Sequence, residues 1–268
     1  MIEGQEEKAF KKLDKKIDQF IREYRMRIKD SDEREIVEEV FDKNTLMTLY
    51  HLMNEGYIDE LYGVVSAGKE ARVYSGVDSE GNPVAIKIFL TLTSEFRKSR
   101  MKYIMGDPRF EGIYNSPLKM IHAWASKEYK NLVKAYNAGV YVPRPIAHAK
   151  NIIVMEFIGD DFEPAPTLRE YENLSERIFY QVLRQIRLLY QKAELVHADI
   201  SEYNIFYYKR KPILFDFGQA VVTTHPMAES FLIRDINNIL NFFRSRHIEV
   251  DLTLDDVLEY VRGSRDAV

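Results

Sequence analysis

Apolar residues recur at helical spacing through the first part of the chain. Over residues 6–29 they share one helix face while Lys and Arg fill the others, which indicates a basic amphipathic helix. Ser31-Asp32 can cap a second helix, and Asn44 can cap a third that ends near Gly56. We therefore expect an N-terminal helical extension over residues 1–60, whose basic helix either packs on its own protein or contacts RNA or an acidic partner.

Strand patterns replace the helical ones after this extension. Residues 61–90 predict three strands, with an Asp-Ser-Glu-Gly-Asn turn before the third. A long polar-rich connection follows over about residues 91–121, and such a long loop is usually functional or mobile. Apolar spacing then predicts a helix over residues 122–132 and two more strands at residues 146–149 and 152–157.

Helical patterns dominate the last part of the chain. An acidic, proline-rich stretch at residues 160–166 is predicted to be a linker. Long helices are predicted around residues 178–189 and 227–246, and Asp251 or Thr253 can cap a last one. The pattern therefore predicts an α+β protein in three parts, which are the extension at residues 1–60, a strand-rich lobe at 61–158 and a mostly helical lobe at 159–268.

The composition is that of a globular protein, since 46% of the 268 residues are hydrophobic and 30% are charged. No apolar run approaches the roughly 20 residues of a membrane span, and the charged N-terminus lacks the apolar core of a signal peptide. The absence of cysteine excludes disulfides and thiolate metal sites and fits a reducing cytoplasm. A net charge of −4 gives no overall attraction to nucleic acid. We expect a cytoplasmic monomer without membrane partners.

Two short motifs between residues 195 and 220 carry the candidate chemistry. Asp199 follows His197 and precedes Asn204 in the pattern H-x-D-x-x-x-x-N, and Asp216 opens an Asp-Phe-Gly. Phosphoryl transfer needs a carboxylate that accepts or orients the proton of the attacking hydroxyl, and oxygen ligands that hold Mg²⁺ against the phosphates. Asp199 is the candidate base, and Asn204 and Asp216 are the candidate metal ligands. The arrangement is that of kinase-fold phosphotransferases, and the alternative is a solvated polar loop with a chance Asp-Phe-Gly.

An upstream strand supplies a matching cation. Val84-Ala85-Ile86-Lys87 matches the kinase strand whose Lys holds the α- and β-phosphates. Glu128, in the predicted helix, is the candidate acid that pairs with Lys87 and fixes its position. The turn before the strand contains one glycine where kinases usually carry three, yet its backbone N–H groups can still bind phosphate. Ser66 and Lys69 can add a hydroxyl and a positive charge to this turn.

Two features of ordinary protein kinases are missing downstream. Gly218 is followed by neither a long activation segment nor an Ala-Pro-Glu, and only about twenty residues follow Arg246. The chain is therefore predicted to adopt a minimal, two-lobed protein-kinase-like fold without a peptide-binding activation segment. Residues 155–159 are expected to form the hinge, where backbone groups can bind the adenine edge.

Together these motifs resemble the RIO family of atypical protein kinases, and specifically its Rio1 branch. The resemblance covers about residues 49–246, and its Phe-Asp-Phe-Gly at residues 215–218 departs from the more usual Ile-Asp-x-x of that family. The other matching motifs are Ser-Ala-Gly-Lys-Glu-Ala at 66–71, the long insertion, Trp-Ala-Ser-Lys-Glu-Tyr-Lys-Asn-Leu at 124–132, His-Ala-Asp-Ile-Ser-Glu-Tyr-Asn at 197–204, His225-Pro226 and Arg234-Asp235.

The resemblance implies an ATP-dependent serine/threonine protein kinase that autophosphorylates, an ATPase that forms a phosphoaspartate at Asp216, or both. It implies Mg²⁺ or Mn²⁺ as cofactor and a precursor of the small ribosomal subunit as partner, through protein and, as a further candidate, rRNA. Ser94 and Ser99 are candidate autophosphorylation sites, with Thr91 and Thr93 left open. The residues implied to contact the nucleotide are Ser66, Lys69, Glu70, Lys87, Glu128, Met155, Glu156, Ile158 and Glu202.

Two other functions remain open at this point. A small-molecule phosphotransferase of the aminoglycoside-kinase type shares the H-x-D-x-x-x-x-N loop and lacks Ala-Pro-Glu, although the lysine strand and the insertion fit the RIO pattern better. A nucleotide-sensing module could instead bind pre-ribosomal RNA through the basic N-terminal helix. Truncation of residues 1–48 separates this last possibility, because a distinct binding role predicts lost RNA binding with retained ATPase activity.

Overall fold

The computed structural model describes residues 42–90, 100–104, 110 and 116–265. The first two predicted helices lie outside these residues, and the third is present as helix α1 (Lys43–Asn54). The predicted cap at Asn44 was wrong, because the Asp42 carboxylate accepts the Thr45 N–H at 2.8 Å. Asn44 lies inside the first turn, where its carbonyl accepts the Thr48 hydroxyl at 2.7 Å.

A five-stranded antiparallel sheet follows α1, as the alternation predicted. Its strands pair in the order β1-β2-β3-β5-β4. The central strand is buried from its second residue onward because helices cover both faces of the sheet. Its even-numbered residues from Val84 to Ile88 pack with Leu49 and Leu52 of α1. The strands are β1 (Glu60–Ala67), β2 (Ala71–Val77), β3 (Pro83–Phe89), β4 (Pro145–Ala149) and β5 (Ile152–Glu156).

Helix α2 (Pro117–Asn137) packs on the other face of the sheet and starts five residues before the predicted helix. Ser116 caps it and Pro117 occupies the first turn, a start signal that apolar spacing alone overlooked. The predicted connection over residues 91–121 was also wrong in part, because residues 100–104 are helical. This segment orders because its apolar side chains are buried in the large core, where Tyr103 lies 5.1 Å from Phe231 between ring centroids.

The stretch predicted as a linker forms a small hairpin instead. Strands β6 (Gly159–Asp160) and β7 (Glu163–Pro164) pair, and the two residues between them have positive φ, as a tight hairpin turn requires. One of these turn residues, Phe162, packs edge-on against Tyr62 of β1 at a centroid distance of 4.7 Å. The hairpin follows β5 in the chain and packs against β1, the first strand of the sheet.

The helical part of the chain matches the predicted pattern closely. Thr253 caps the last helix with a capping box, which decides between the two predicted caps. Lys209 and Arg210 form a second tight turn with positive φ between two short strands. Within the described residues, no helix is both long and apolar enough to span a membrane. The elements are α3 (Glu176–Gln191), β8 (Leu195–Val196), β9 (Ile205–Tyr208), β10 (Lys211–Leu214), β11 (Val221–Val222), α4 (Ala228–Ser245) and α5 (Leu254–Arg262).

Candidate active site

A cleft of about 430 Å³ lies between the sheet and the helical part of the chain. The β1–β2 turn, strand β3, helix α2, the segment after β5 and the segment after β10 all contribute to its walls. Concave sites of this size are typical of small-molecule binding. The predicted site residues that line the cleft are Ser66, Lys69, Glu70, Lys87, Glu128, Met155, Glu156, Ile158 and Asp216.

Lys87 sits at the back of the cleft between two carboxylates. Its Nζ lies 2.7 Å from Glu128 Oε1, as predicted, and 3.0 Å from Asp216 Oδ1. Burial opposes the charge of Lys87, but Asp216 and Glu128 outweigh it and hold the pKa of the ammonium above its usual value. Burial also acts against Asp216, yet Lys87 lowers the pKa of this carboxyl. Asp216 is therefore ionised, and 45% of its side chain is exposed within the cleft.

Glu128 is the most deeply buried member of this group, with 5% of its side chain exposed against 11% for Lys87. Burial raises the pKa of its carboxyl, and only one of its oxygens is paired with Lys87. The other oxygen, Oε2, has no hydrogen-bond partner in the described part of the chain. A Cβ on Gly218 would lie 3.0 Å from Glu128 Oε2 and 3.1 Å from Trp124 Nε1. The glycine of the Asp-Phe-Gly motif therefore allows the chain after Asp216 to pass close to α2.

Two further side chains of α2 hold the segment after Asp216, and neither was among the residues predicted from the sequence. The ammonium of Lys127 donates to the carbonyls of Gly218 at 2.8 Å and Ala220 at 2.6 Å. The amide of Asn131 donates to the Ala220 carbonyl at 2.9 Å. Both side chains are buried, and their four-residue spacing places them on one face of the helix. Polar residues on the buried face of an amphipathic helix were the available signal.

Two residues of α4, Arg234 and Asp235, hydrogen-bond the backbone of the loop that carries the candidate base. Ala198 is fully buried with φ 63°, a left-handed conformation that is rare for a residue with a side chain. The buried Asp235 accepts the N–H groups of Ala198 at 2.8 Å and Ile200 at 3.2 Å. Arg234 donates to the Ala198 carbonyl. Burial raises the pKa of Asp235 to about 7. The Arg234-Asp235 pair thus stabilises a strained turn beside Asp199.

Two side-chain amides donate hydrogen bonds to one carboxylate oxygen of Asp199, Oδ2. Asn204 Nδ2 donates to the Asp199 backbone carbonyl at 2.8 Å and to its Oδ2 at 3.3 Å. Gln219 Nε2 donates to the same Oδ2 at 2.8 Å. Burial, with repulsion from Asp216, raises the pKa of Asp199 to about 6. Gln219 was not among the predicted site residues, although it immediately follows the Asp-Phe-Gly motif.

His197 supports the loops rather than the cleft. Its Nε2 lies 3.0 Å from the Phe215 carbonyl, and its ring packs on Phe217 at a centroid distance of 4.7 Å. Burial lowers the pKa of His197 to about 4, so the ring is neutral near pH 7. It therefore connects the loop of Asp199 to the loop of Asp216 through a neutral hydrogen bond.

Some predicted nucleotide contacts are placed differently. The Ile158 carbonyl already accepts the Ala165 N–H at 2.9 Å, so the backbone contact predicted for Ile158 falls to its N–H. Glu70 pairs with Arg100 at the cleft wall. Glu202 does not line the cleft with the other predicted residues. Asp199 and Asn204 also stand outside the lining, whereas Gln219, which donates to Asp199, is among the residues that line the cleft.

An antiparallel sheet with a buried Lys–Glu pair, joined to a helical part that carries an Asp–Asn loop and an Asp-Phe-Gly, defines a protein-kinase-like fold. Two structures of the Rio2 kinase from Chaetomium thermophilum share this fold. The one described as an ADP/Mg²⁺–phosphoaspartate complex has a TM-score of 0.60 at 21% identity and covers 82% of this chain and 70% of its own. The second has a TM-score of 0.61 at 22% identity, with coverage of 79% and 66%.

The family model for the RIO domain matches residues 72–257, so the chain belongs to the RIO family. The Haloferax volcanii RIO-type serine/threonine-protein kinase Rio1 is 40% identical over 90% of this chain and 82% of its own length. Its Methanocaldococcus jannaschii counterpart is 38% identical, with coverage of 91% and 85%. Human serine/threonine-protein kinase RIO1 is 39% identical over 88% of this chain but 42% of its own. These similarities support a protein kinase role.

Proposed function

We propose that this protein is an ATP-dependent, autophosphorylating serine/threonine protein kinase that also hydrolyses ATP. The observation that carries the proposal is the position of Lys87 between Glu128 and Asp216 at the back of a cleft. A buried ammonium beside an ionised, cleft-facing carboxylate suits a polyanionic nucleotide with a cation. The names of the Rio1 relatives favour a protein acceptor over a small molecule.

The nucleotide would lie along the cleft from the hinge to the β1–β2 turn. The N–H of Ile158 would donate to the adenine, and the side chain of Met155 would line its pocket. The ammonium of Lys87 would contact the α- and β-phosphates. Ser66 at the end of β1 and Lys69 in the turn line this end of the cleft and would add a hydroxyl and a charge.

The residues present also fit Mg²⁺. Asp216 is ionised and faces the cleft, while the Asn204 amide nitrogen is directed at Asp199, so its carbonyl oxygen is left for a cation. Among the described residues no cluster of three His, Cys, Asp or Glu side chains forms a closed metal site. Such an open set suits Mg²⁺, which is usually held by one or two carboxylates together with substrate phosphates. When bound, the ion supplies neutralisation of phosphate charge. Mn²⁺ offers the same oxygen-ligand chemistry.

Asp199 would accept the proton of the attacking hydroxyl. Its pKa of about 6 leaves it ionised at neutral pH while making it a better proton acceptor than an ordinary aspartate. The hydrogen bonds from Asn204 and Gln219 fix the carboxylate and leave Oδ1 for the acceptor. Candidate autophosphorylation sites Ser94 and Ser99 lie outside the described residues.

The wider role rests on the family resemblance. We place the protein in maturation of the small ribosomal subunit, in the cytoplasm, with the precursor subunit as partner and rRNA as a further candidate. A phosphoaspartate at Asp216 belongs to the same proposal, and it is supported by the Chaetomium thermophilum Rio2 structure, which is a phosphoaspartate complex of that protein. The Lys, Glu and Asp roles above do not depend on the ribosomal assignment.

The decisive experiment incubates purified protein with Mg²⁺ and γ-labelled ATP and measures labelled protein and free phosphate together. Asp199→Ala and Asp216→Asn are compared with the wild type. Acid-stable label that is lost in Asp199→Ala supports a serine/threonine kinase with the proposed base. Free phosphate with acid-labile label that is lost in Asp216→Asn supports an ATPase that acts through an aspartyl phosphate. The absence of both products from the wild type would refute the proposal.

A further inference from the structure

The helical part of the insertion after β3 brings Arg100 to the cleft. Arg100 lines the cleft together with Lys87 and Asp216, and 15% of its side chain is exposed. Its guanidinium pairs with the carboxylate of Glu70, in the turn between β1 and β2. Its Cζ also lies 5.2 Å from the centroid of the Trp124 ring, which is a cation–π distance. Arg100 therefore contacts both the β1–β2 turn and helix α2 at the cleft wall.

The contact with Trp124 places Arg100 near the segment that carries Asp216. Trp124 Nε1 lies 3.1 Å from the position that a Cβ on Gly218 would take, so the indole that Arg100 contacts borders the Asp-Phe-Gly motif. Burial acts against the charge of Asp216, but Lys87 lowers the pKa of this carboxyl, and Arg100 adds to the lowering. The guanidinium is therefore close enough to Asp216 to stabilise its negative charge.

The loop of the candidate base carries no cation of its own. Ala198 occupies the place of Arg in the protein-kinase motif H-R-D, and residues 200–203 are Ile, Ser, Glu and Tyr. Burial, with repulsion from Asp216, raises the pKa of Asp199 to about 6, and Arg100 is one of the cations that oppose this rise. The insertion thus supplies positive charge to a loop that lacks it.

The Glu70 carboxylate occupies a position that a phosphate group can take over. Its side chain is 39% exposed, against 15% for Arg100, so the acid lies on the more open side of the pair. The backbone carbonyl of Glu70 accepts the Leu90 N–H at 3.0 Å, which holds the main chain while the side chain turns away. A guanidinium binds carboxylate and phosphate oxygens with the same forked geometry, and phosphate carries the greater charge.

The γ-phosphate is the group that this position suits. Lys87, at the back of the cleft, would hold the α- and β-phosphates, whereas Arg100 lies near the two carboxylates assigned to the transferred group. An arginine supplied from the same chain stabilises the transferred phosphoryl group in other phosphoryl-transfer enzymes. We propose that Arg100 exchanges its ion pair with Glu70 for a contact with the γ-phosphate of ATP. This inference rests on the proposed kinase and ATPase function, and the contact serves transfer to a protein hydroxyl and to Asp216 alike.

The test compares ADP with a non-hydrolysable ATP analogue, because only the analogue carries a γ-phosphate. Calorimetry with Mg²⁺ measures both affinities for the wild type and for Arg100→Met, which keeps an apolar side chain against Trp124. We expect analogue binding to weaken about tenfold or more and ADP binding to change by less than about threefold. Arg184→Met is the matched control, because Arg184 is exposed on α3 outside the cleft, and it should change neither affinity.

Two further variants separate contact with phosphate from support of the turn. Arg100→Lys keeps the charge but loses the fork, so it should recover part of the analogue affinity that Arg100→Met loses. Glu70→Gln removes the carboxylate that competes with phosphate, so it should tighten analogue binding about threefold or more. A purely structural ion pair predicts the opposite, because Glu70→Gln would then weaken both nucleotides as Arg100→Met does.

The outcomes separate this inference from the function on which it rests. Equal weakening of ADP and analogue binding in Arg100→Met would overturn the inference, because Arg100 would then act on the turn or on the inner phosphates. Unchanged analogue binding in Arg100→Met would overturn it as well, while leaving the proposed function intact. A wild type that binds neither nucleotide would instead refute the proposed function, and the role of Arg100 with it.

Discussion

Lys127 offers the sharpest test of how the Asp-Phe-Gly segment is held. The perturbation is Lys127→Met, which keeps the length and most of the volume of the side chain but removes the ammonium. Lys127 is fully buried and donates to two backbone carbonyls, at 2.8 and 2.6 Å. A hydrogen bond from a charged donor contributes about 1.5–3 kcal/mol, and a carbonyl left unpaired costs about as much as a lost bond.

The expected magnitude follows from what each carbonyl retains. The Ala220 carbonyl keeps its hydrogen bond from Asn131, so only the Gly218 carbonyl loses the partner it has in the described structure. Removal of a buried ammonium also recovers part of its desolvation cost, which offsets some of the loss. We expect the free energy of unfolding to fall by about 2–4 kcal/mol, near the cost of other buried polar deletions.

The assay is urea unfolding with and without ADP and Mg²⁺. Lys130→Met is the matched control, because Lys130 is exposed three residues further along the same helix. We expect the slope of unfolding free energy against urea concentration to be the same in both variants. The urea midpoint should fall in Lys127→Met and not in Lys130→Met. ADP with Mg²⁺ should also stabilise Lys127→Met less than the wild type, since the segment after Asp216 has lost one of its hydrogen-bond donors. Equal midpoints for the two variants would refute the idea that Lys127 anchors the segment.

Three further predictions follow from the geometry. Burial and Asp216 raise the pKa of Asp199 to about 6, so the deprotonated base is lost as pH falls through that value. The rate of label transfer should therefore fall with pH around 6. A pH–rate profile that falls only near the ordinary pKa of aspartate would contradict this. Gly218→Ala should weaken ADP binding, measured by calorimetry, at least about tenfold, since the new Cβ would lie 3.0 Å from Glu128 Oε2. Unchanged affinity would show that α2 shifts enough to make room for the Cβ. Arg210→Gly should raise the free energy of unfolding by about 0.5–1 kcal/mol in urea, because φ is 63° at this turn, whereas a loss of stability would indicate that the Arg side chain matters more than its backbone strain.

The sequence by itself determined the elements whose signals are local. Apolar spacing predicted α3 and α4, and alternation with turn residues predicted the first three strands. Fixed spacing in short motifs also identified Lys87, Asp199, Asn204 and Asp216 as one candidate set. These signals can be read from the sequence because each depends only on residues that lie close together along the chain.

Only the tertiary structure decided which distant groups meet. Lys127 reaches the segment 91 and 93 residues away, and Gln219 meets Asp199 across 20 residues. The burial of the insertion around Tyr103 depended on packing in the same way, because Tyr103 lies against Phe231 of α4. A buried polar group needs a hydrogen-bond partner. The packing of the helices on the sheet, rather than local spacing in the sequence, determines which distant residue supplies that partner. Sequence patterns therefore predicted the candidate reactive residues, whereas packing determined which residues hold them in position.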